Sequence, residues 1–195
     1  MSQPGQGAGS IEDRLGELRR DIDAVDRQIV ELLNRRASLA QHVGEVKKLV
    51  DAPVYRPERE AQIFAKLDTI NTGPLPSAGI VAVYREIISA CRELERRMRV
   101  AYLGPAGTFS EQALLKHFGS SVDPIPCGSI DEVFRSTESG TADFGVVPVE
   151  NSSEGAVNRS LDLLLQTTLP ICGEVSIAVR HNLMRSEERR VGKEC

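Results

Sequence analysis

Apolar residues recur at spacings of four and three along the first quarter of the chain: Ile11, Leu15, Leu18, Ile22, Val25, Ile29, Leu32, Leu39, Val43, Val46 and Val50. The one break in the series is Arg36, which stands where the next seam residue falls. This heptad pattern, with no proline and glycine only at positions 16 and 44, predicts one long helix over residues 11–49. Ser10 is its candidate cap, with Asp13 as a weaker stand-in for the capping-box glutamate. Such a helix spans ~58 Å at ~1.5 Å per residue, whereas a compact domain of ~100 residues has a radius of gyration of ~13 Å. Its own short chain cannot cover the whole stripe. The economical partner is a second copy, so a homodimer through the long N-terminal helix is expected.

Asp51-Ala52-Pro53 stops that helix, and Pro57 suits the first turn of a second carrying Ile63, Phe64, Leu67 and Ile70. Asn71-Thr72-Gly73-Pro74 ends it. A third helix is expected from about Pro76 to Arg97, with Ile80, Tyr84, Ile87, Cys91, Leu94 and Met98 on its stripe. At Val100 the texture changes to short apolar runs between Gly and Pro. Strands are expected at 100–103, 122–127, 144–149 and 171–179. The helices between them are Thr108–Phe118, one capped by Ser129 and ending near Ser139, and Gly155–Gln166. Thr108 and Glu111 stand at capping-box spacing. Strands alternating with helices imply a parallel α/β sheet. The chain thus divides into residues 1–10, expected to be disordered, a helical domain at 11–99, a partial α/β domain at 100–185, and a charged, off-pattern tail at 186–195. That tail reads as a truncated or artefactual end.

The chain has 195 residues with 41% hydrophobic and 27% charged residues, enough to fill a core. Three Tyr, five Phe and no Trp leave no base-stacking platform, and a net charge of −4 offers no basic field, so nucleic acid is not expected as a partner. No apolar run reaches the ~18–20 residues of a bilayer span, and the start lacks a signal peptide's basic and apolar segments. Cys91, Cys127, Cys172 and Cys195 show neither zinc-site nor disulfide spacing, so no metal is expected. A cytoplasmic protein is the reading.

Charges that break the apolar stripes carry the candidate chemistry. Arg36 lies on the seam of the first helix, and Lys47 is only ~20° away around it and ~16 Å along it. Glu60 falls on the stripe of the second helix, and Glu95, four residues after Cys91, on the edge of the third. Buried charges are costly unless paired or ligand-bound. One reading pairs Arg36 with Glu60 as a structural salt bridge, or lets the long stems snorkel. The other is a cationic pocket between helices that holds a small dianion.

Leu18-Arg19-Arg20-Asp21-Ile22-Asp23, Leu32-Leu33-Asn34-Arg35-Arg36, Val43-Gly44-Glu45-Val46-Lys47 and Val54-Tyr55-Arg56-Pro57-Glu58-Arg59-Glu60 resemble, in order, the all-helical chorismate mutase family over residues 11–98. The resemblance implies a three-helix domain in an intertwined dimer that converts chorismate to prephenate without a cofactor. It implies Arg19 as the arginine contributed across the dimer and Arg36 as the in-chain carboxylate binder. Lys47 becomes the lysine on a substrate carboxylate and on the ether oxygen, and Glu60 the acceptor of the substrate hydroxyl. Three positions depart from some members. Arg56 stands where Asp can occur and would act through its backbone, Cys91 stands where Ser can occur, and Glu95 stands where others use Gln to donate to the ether oxygen. A carboxyl donates only when protonated, whereas an amide always can.

In the α/β part, Tyr102-Leu103-Gly104-Pro105-Ala106-Gly107-Thr108-Phe109-Ser110 has neither the lysine of a phosphate loop nor dinucleotide-fold glycine order. Taken alone it is equally a simple strand-to-helix turn. With Asp143-Phe144-Gly145-Val146-Val147-Pro148-Val149-Glu150-Asn151-Ser152-Ser153-Glu154-Gly155 and Gly173-Glu174-Val175, it resembles the first part of the prephenate dehydratases. Mutase followed by dehydratase is the layout of the bifunctional P-protein family of phenylalanine biosynthesis. The resemblance implies a partial, periplasmic-binding-protein-like α/β lobe. It also implies Thr108, Ser110, Glu150, Asn151 and Ser152 as cleft residues, although Glu150 could instead cap the following helix. The family's Thr-Arg-Phe motif is absent from the sequence. An active mutase and an inactive dehydratase are therefore expected, with prephenate as the mutase product. The competing reading is a non-catalytic dimeric coiled-coil module fused to a ligand-binding α/β lobe.

Overall fold

The computed structural model describes residues 7–50 and 55–179. Three helices come first: α1 (Gly7–Leu49), α2 (Pro57–Ile70) and α3 (Ser77–Glu93). After them come β1 (Arg99–Leu103), α4 (Phe109–Phe118), β2 (Asp123–Cys127), α5 (Ile130–Glu138), β3 (Phe144–Val146), β4 (Glu150–Asn151), β5 (Gly155–Ala156) and α6 (Asn158–Gln166). An all-α part followed by an α/β alternation is what the periodicity implied. The described residues form two compact units, the first running to Arg99 and including Phe118–Asp123, the second holding Val100–His117 and the chain from Pro124 onward.

In the helical unit α3 packs against both α1 and α2. Pro57 opens α2 as its fixed φ favours, with Glu58 and Glu60 in the first turn, where the helix dipole welcomes acids. Leu67 of α2 and Ile88 and Cys91 of α3 are buried together with Tyr55 and Met98. Segment 118–123 completes this unit. Phe118 packs against Tyr55 with ring centroids 5.3 Å apart and planes tilted by 54°, and the Asp123 amide donates to the Met98 carbonyl at 2.8 Å. Almost the whole heptad seam of α1 stays uncovered within one chain: Ile22 is 58% exposed and Leu32 63%.

The second unit holds a three-stranded sheet in the order β2-β1-β3, with β1 and β3 parallel. Its core gathers Ala101, Cys127, Val133 and Ala142. Ser129 caps α5 as expected, its Oγ accepting the Glu132 amide at 3.2 Å. β4 and β5 make a small antiparallel hairpin pairing Glu150 with Ala156.

Several expected boundaries shift. Residues 7–10 are helical, so Ser10 lies inside α1 and not at its N-cap position. The rest of the expected disordered segment, Asp51 to Pro53, and the tail 186–195 lie outside the described residues. α3 ends at Glu93, and Glu95 sits in the turn beyond, its amide donating to the Arg92 carbonyl at 2.9 Å. α6 starts at Asn158 because Gly155 and Ala156 are taken by the hairpin. Residues 171–179 form no strand. A strand needs a neighbouring edge, and here the Ser176 carbonyl is taken by Lys116 Nζ at 2.7 Å instead of a ladder.

The expected capping box at α4 is also different. Thr108 Oγ1 turns away and donates to the Leu103 carbonyl at 3.2 Å, while Glu111 Oε2 accepts the Gly107 amide. The α5 turn repeats that reach, Glu132 Oε2 accepting the Gly128 amide at 2.7 Å. In both strand-to-helix turns the glutamate therefore ties down the residue before the cap.

Candidate functional site

A cavity of about 650 Å³ opens in the helical unit. Arg36 and Lys47 reach it from α1, Arg56 and Glu60 from the start of α2, and Cys91, Arg92 and Glu95 from α3 and the turn after it. Six of the seven residues singled out for the helical domain thus line one cavity. The seventh, Arg19, is exposed and lies ~26 Å from Arg36 along α1 at ~1.5 Å per residue. It cannot reach the cavity of its own chain.

The helix periodicity explains the convergence. Arg36 and Lys47 share one face of α1, and that face meets α3. Lys47 Nζ stands 3.5 Å from Glu95 Oε2, with the glutamate side chain only 7% exposed. Gly44 makes this approach possible, because a Cβ there would lie 2.7 Å from Glu95 Cγ. Arg36 Nη1 donates to Cys91 Sγ at 3.0 Å. Arg36 and Glu60 therefore do not pair directly, and the structural salt bridge considered from the sequence is not formed. Arg56 is the residue before α2; its carbonyl accepts the Arg59 and Glu60 amides at 3.1 and 3.2 Å, and its side chain is exposed at the rim.

Glu60 meets Arg92, Nη1 to Oε1 at 3.2 Å, with both side chains nearly buried. Burial pushes the Glu60 carboxyl above its ordinary range, opposed by the charges of Arg92, Arg85 and Arg36. Burial likewise lowers Arg92, opposed mainly by Glu60. The Arg92 guanidinium also lies 5.1 Å from the Tyr55 ring centroid, and Nη2 donates to the Phe118 carbonyl. Sequence reasoning missed Arg92. The available signal was its heptad spacing from Arg85 and its position four residues after Ile88, which puts a cation on the buried face of α3.

Chemically the cavity offers the cations Arg36, Lys47, Arg56 and Arg92 together with two buried carboxylates, Glu60 and Glu95. That suits a small anionic ligand bearing a hydroxyl. Among the described residues no group of three or more His, Cys, Asp or Glu side chains converges as a metal site, and no helix is long and apolar enough to cross a membrane.

In the α/β unit the expected residues fall into two segments. Thr108 and Ser110 follow β1, whereas Glu150, Asn151 and Ser152 lie beyond β3 in and after the β4 strand. Because β1 and β3 are parallel neighbours, both segments leave the same carboxyl edge of the sheet, where α/β folds place ligands. Among the described residues no hydrogen bond joins them. Asn151 Oδ1 accepts the Ser153 amide at 2.9 Å, and Glu150 and Ser152 are exposed. Glu150 does not cap α6, whose first turn has no side-chain cap.

Comparison with known proteins covers both units. Residues 18–96 match the chorismate mutase type II family and residues 100–193 the prephenate dehydratase family. The bifunctional chorismate mutase/prephenate dehydratase of Stutzerimonas stutzeri is 47% identical over 189 residues, 94% of this chain and 52% of that protein. The protein of the same description from Aquifex aeolicus is 45% identical over 180 residues, 90% of this chain and 50% of that one. A chorismate mutase structure from Thermus thermophilus aligns at 37% identity and a TM-score of 0.42, over 43% of this chain and 96% of that one. The chain spans about half the length of the curated relatives it matches.

Proposed function

The chain belongs to the bifunctional chorismate mutase/prephenate dehydratase family, and from that membership we propose that its helical domain, residues 11–99, rearranges chorismate to prephenate. The observation that carries this is the convergence of Arg36, Lys47, Glu60 and Glu95 on one cavity. The rearrangement breaks one C–O bond and forms one C–C bond in a single cyclic shift of electron pairs. No nucleophile, metal or proton transfer is needed. The protein must hold the compact conformer and meet negative charge growing on the ether oxygen.

The residues divide that work. Arg36 grips one substrate carboxylate. Lys47 bonds a carboxylate and, with Glu95, faces the ether oxygen. Glu60 accepts the substrate hydroxyl, Arg56 contributes through its backbone, and Cys91 makes a weaker contact than a serine. Arg19 comes from a second copy. Its distance from the cavity and the exposed α1 seam both support a homodimer through that helix.

The α/β domain, taken as residues 100–185, carries the start of a cleft that in the family binds prephenate, loses its hydroxyl and releases carbon dioxide to leave phenylpyruvate. Thr108, Ser110, Glu150, Asn151 and Ser152 line it. The activity we assign to these 195 residues is the mutase, and it works in the cytoplasm.

The test is direct. Chorismate is mixed with the chain, loss of its ultraviolet absorbance is followed, and prephenate is identified by chromatography. Prephenate is supplied separately at neutral pH beside a no-enzyme control. Consumption of chorismate without phenylpyruvate above the control is expected. No acceleration of chorismate loss would leave the non-catalytic module as the better reading.

A further inference from the structure

Glu60 and Arg92 are charged residues that the helical unit buries, at 9% and 7% exposed. Removing one partner of such a pair leaves a stranded charge, so each constrains the other. Three groups surround the Arg92 guanidinium: the Glu60 carboxylate as an ion pair, the Tyr55 ring, and the Phe118 carbonyl, which accepts a hydrogen bond from Nη2.

The third anchor comes from far along the chain. Segment 118–123 runs from the last residue of α4 to the first of β2, yet it folds as part of the helical unit. Ser89 Oγ accepts the Ser121 amide at 3.1 Å, and Glu86 Oε2 accepts the Ser120 amide at 3.1 Å. Gly119 lies flush on α3 with φ +81°; a Cβ there would stand 2.5 Å from that of Ser89. Ser89, Arg92 and Glu86 thus hold one backbone segment from one side of α3. Arg92 is the member of that clasp that also lines the cavity.

We propose that Arg92 is a positioning residue of this cavity, locked by segment 118–123, which holds the Glu60 carboxylate where it accepts a hydrogen bond from the ligand hydroxyl. The inference rests on the mutase reading above and adds a residue and a segment to it. Arg92 acts through Glu60. The groups facing Glu60 are Arg92 and Arg85 from α3 and Arg36 from α1; those facing Arg92 are Glu60, Tyr55, Glu86 and Glu95.

The sign of the effect follows. Burial raises the Glu60 carboxyl, and Arg92 is the largest of the charges that hold it down. Without Arg92 the carboxyl rises further, so the ionised acceptor forms only at higher pH. The acid limb of kcat/KM then moves upward.

The experiment uses the full chain and measures kcat/KM for chorismate against pH in Arg92→Met, Arg92→Gln and Arg92→Lys, each also made in a Glu60→Gln background. The neutral variants should move the acid limb up by roughly one pH unit or more. Arg92→Lys should recover part of the shift, and the Glu60→Gln background should abolish it. Circular dichroism checks folding; Gln can still donate to the Phe118 carbonyl and carries the test where Met unfolds the chain. An acid limb at the wild-type pH in a folded neutral variant would overturn the proposal, as would a shift that persists without the Glu60 carboxylate. Wild-type chain that leaves chorismate untouched would sink the mutase reading itself, a separate outcome.

Discussion

Replacing Gly44 by alanine tests the site through a single methyl group. The new Cβ would stand 2.7 Å from Glu95 Cγ, 2.9 Å from Cδ and 3.1 Å from Oε2. Ordinary carbon contacts are ~3.5–4.0 Å, so Glu95 must retreat by about an ångström. It has little room, being 7% exposed beside Lys47. Stability should change little. Alanine favours the interior of a helix over glycine by ~1 kcal/mol, while crowding a packed site costs ~1–3 kcal/mol, so the two largely offset. Activity should not be spared, because a misplacement of ~1 Å near the reacting atoms can cost ~100-fold. The expected result is helicity and a thermal midpoint close to wild type, with kcat/KM for chorismate down by ~10- to 100-fold. Most of the loss should fall on kcat, since contacts to the ether oxygen strengthen in the transition state. A folded Gly44→Ala chain with wild-type kcat/KM would show that Glu95 has no part in the reaction.

Three further outcomes are expected. Arg36→Lys keeps the charge but loses the planar fork, and a lost charge-assisted hydrogen bond of ~1.5–3 kcal/mol should lower kcat/KM by at least ~10-fold with helicity retained; near-normal kinetics would make Arg36 structural. Glu95→Gln supplies an amide donor at the Lys47 contact, so turnover at neutral pH should hold or rise, and a ~10-fold loss would mean that the carboxylate's pairing with Lys47 is what matters. The full chain should sediment as a dimer at micromolar concentration, with Ile22→Asp on the exposed seam weakening both dimer and activity; an active wild-type monomer would refute the shared site.

Much of the helical unit was legible in the sequence. A heptad repeat records which face of a helix leaves water, and polar residues that interrupt it stand out because burying them is costly. Arg36, Lys47 and Glu60 were visible for that reason, and all three line the cavity. The length of α1 likewise implied that its own chain leaves most of the seam uncovered, as it does. Turn chemistry was readable where the signal is confined to a few residues, as at Ser129.

Contacts between distant segments were decided only in three dimensions. Periodicity says that Arg92 shares a face with Ile88, but not that Glu60 and the Phe118 carbonyl meet it there. Residues 171–179 have the alternation of a strand, yet pairing depends on an edge that the sequence of one segment does not specify. Thr108 and Glu111 have capping-box spacing, but the nearby Leu103 carbonyl and Gly107 amide drew their side chains elsewhere. The membership of segment 118–123 in the helical unit has the same origin. Local sequence determined the type of most elements and several of their ends; which faces met, and which buried charge answered which, was settled by the energy of burying them together.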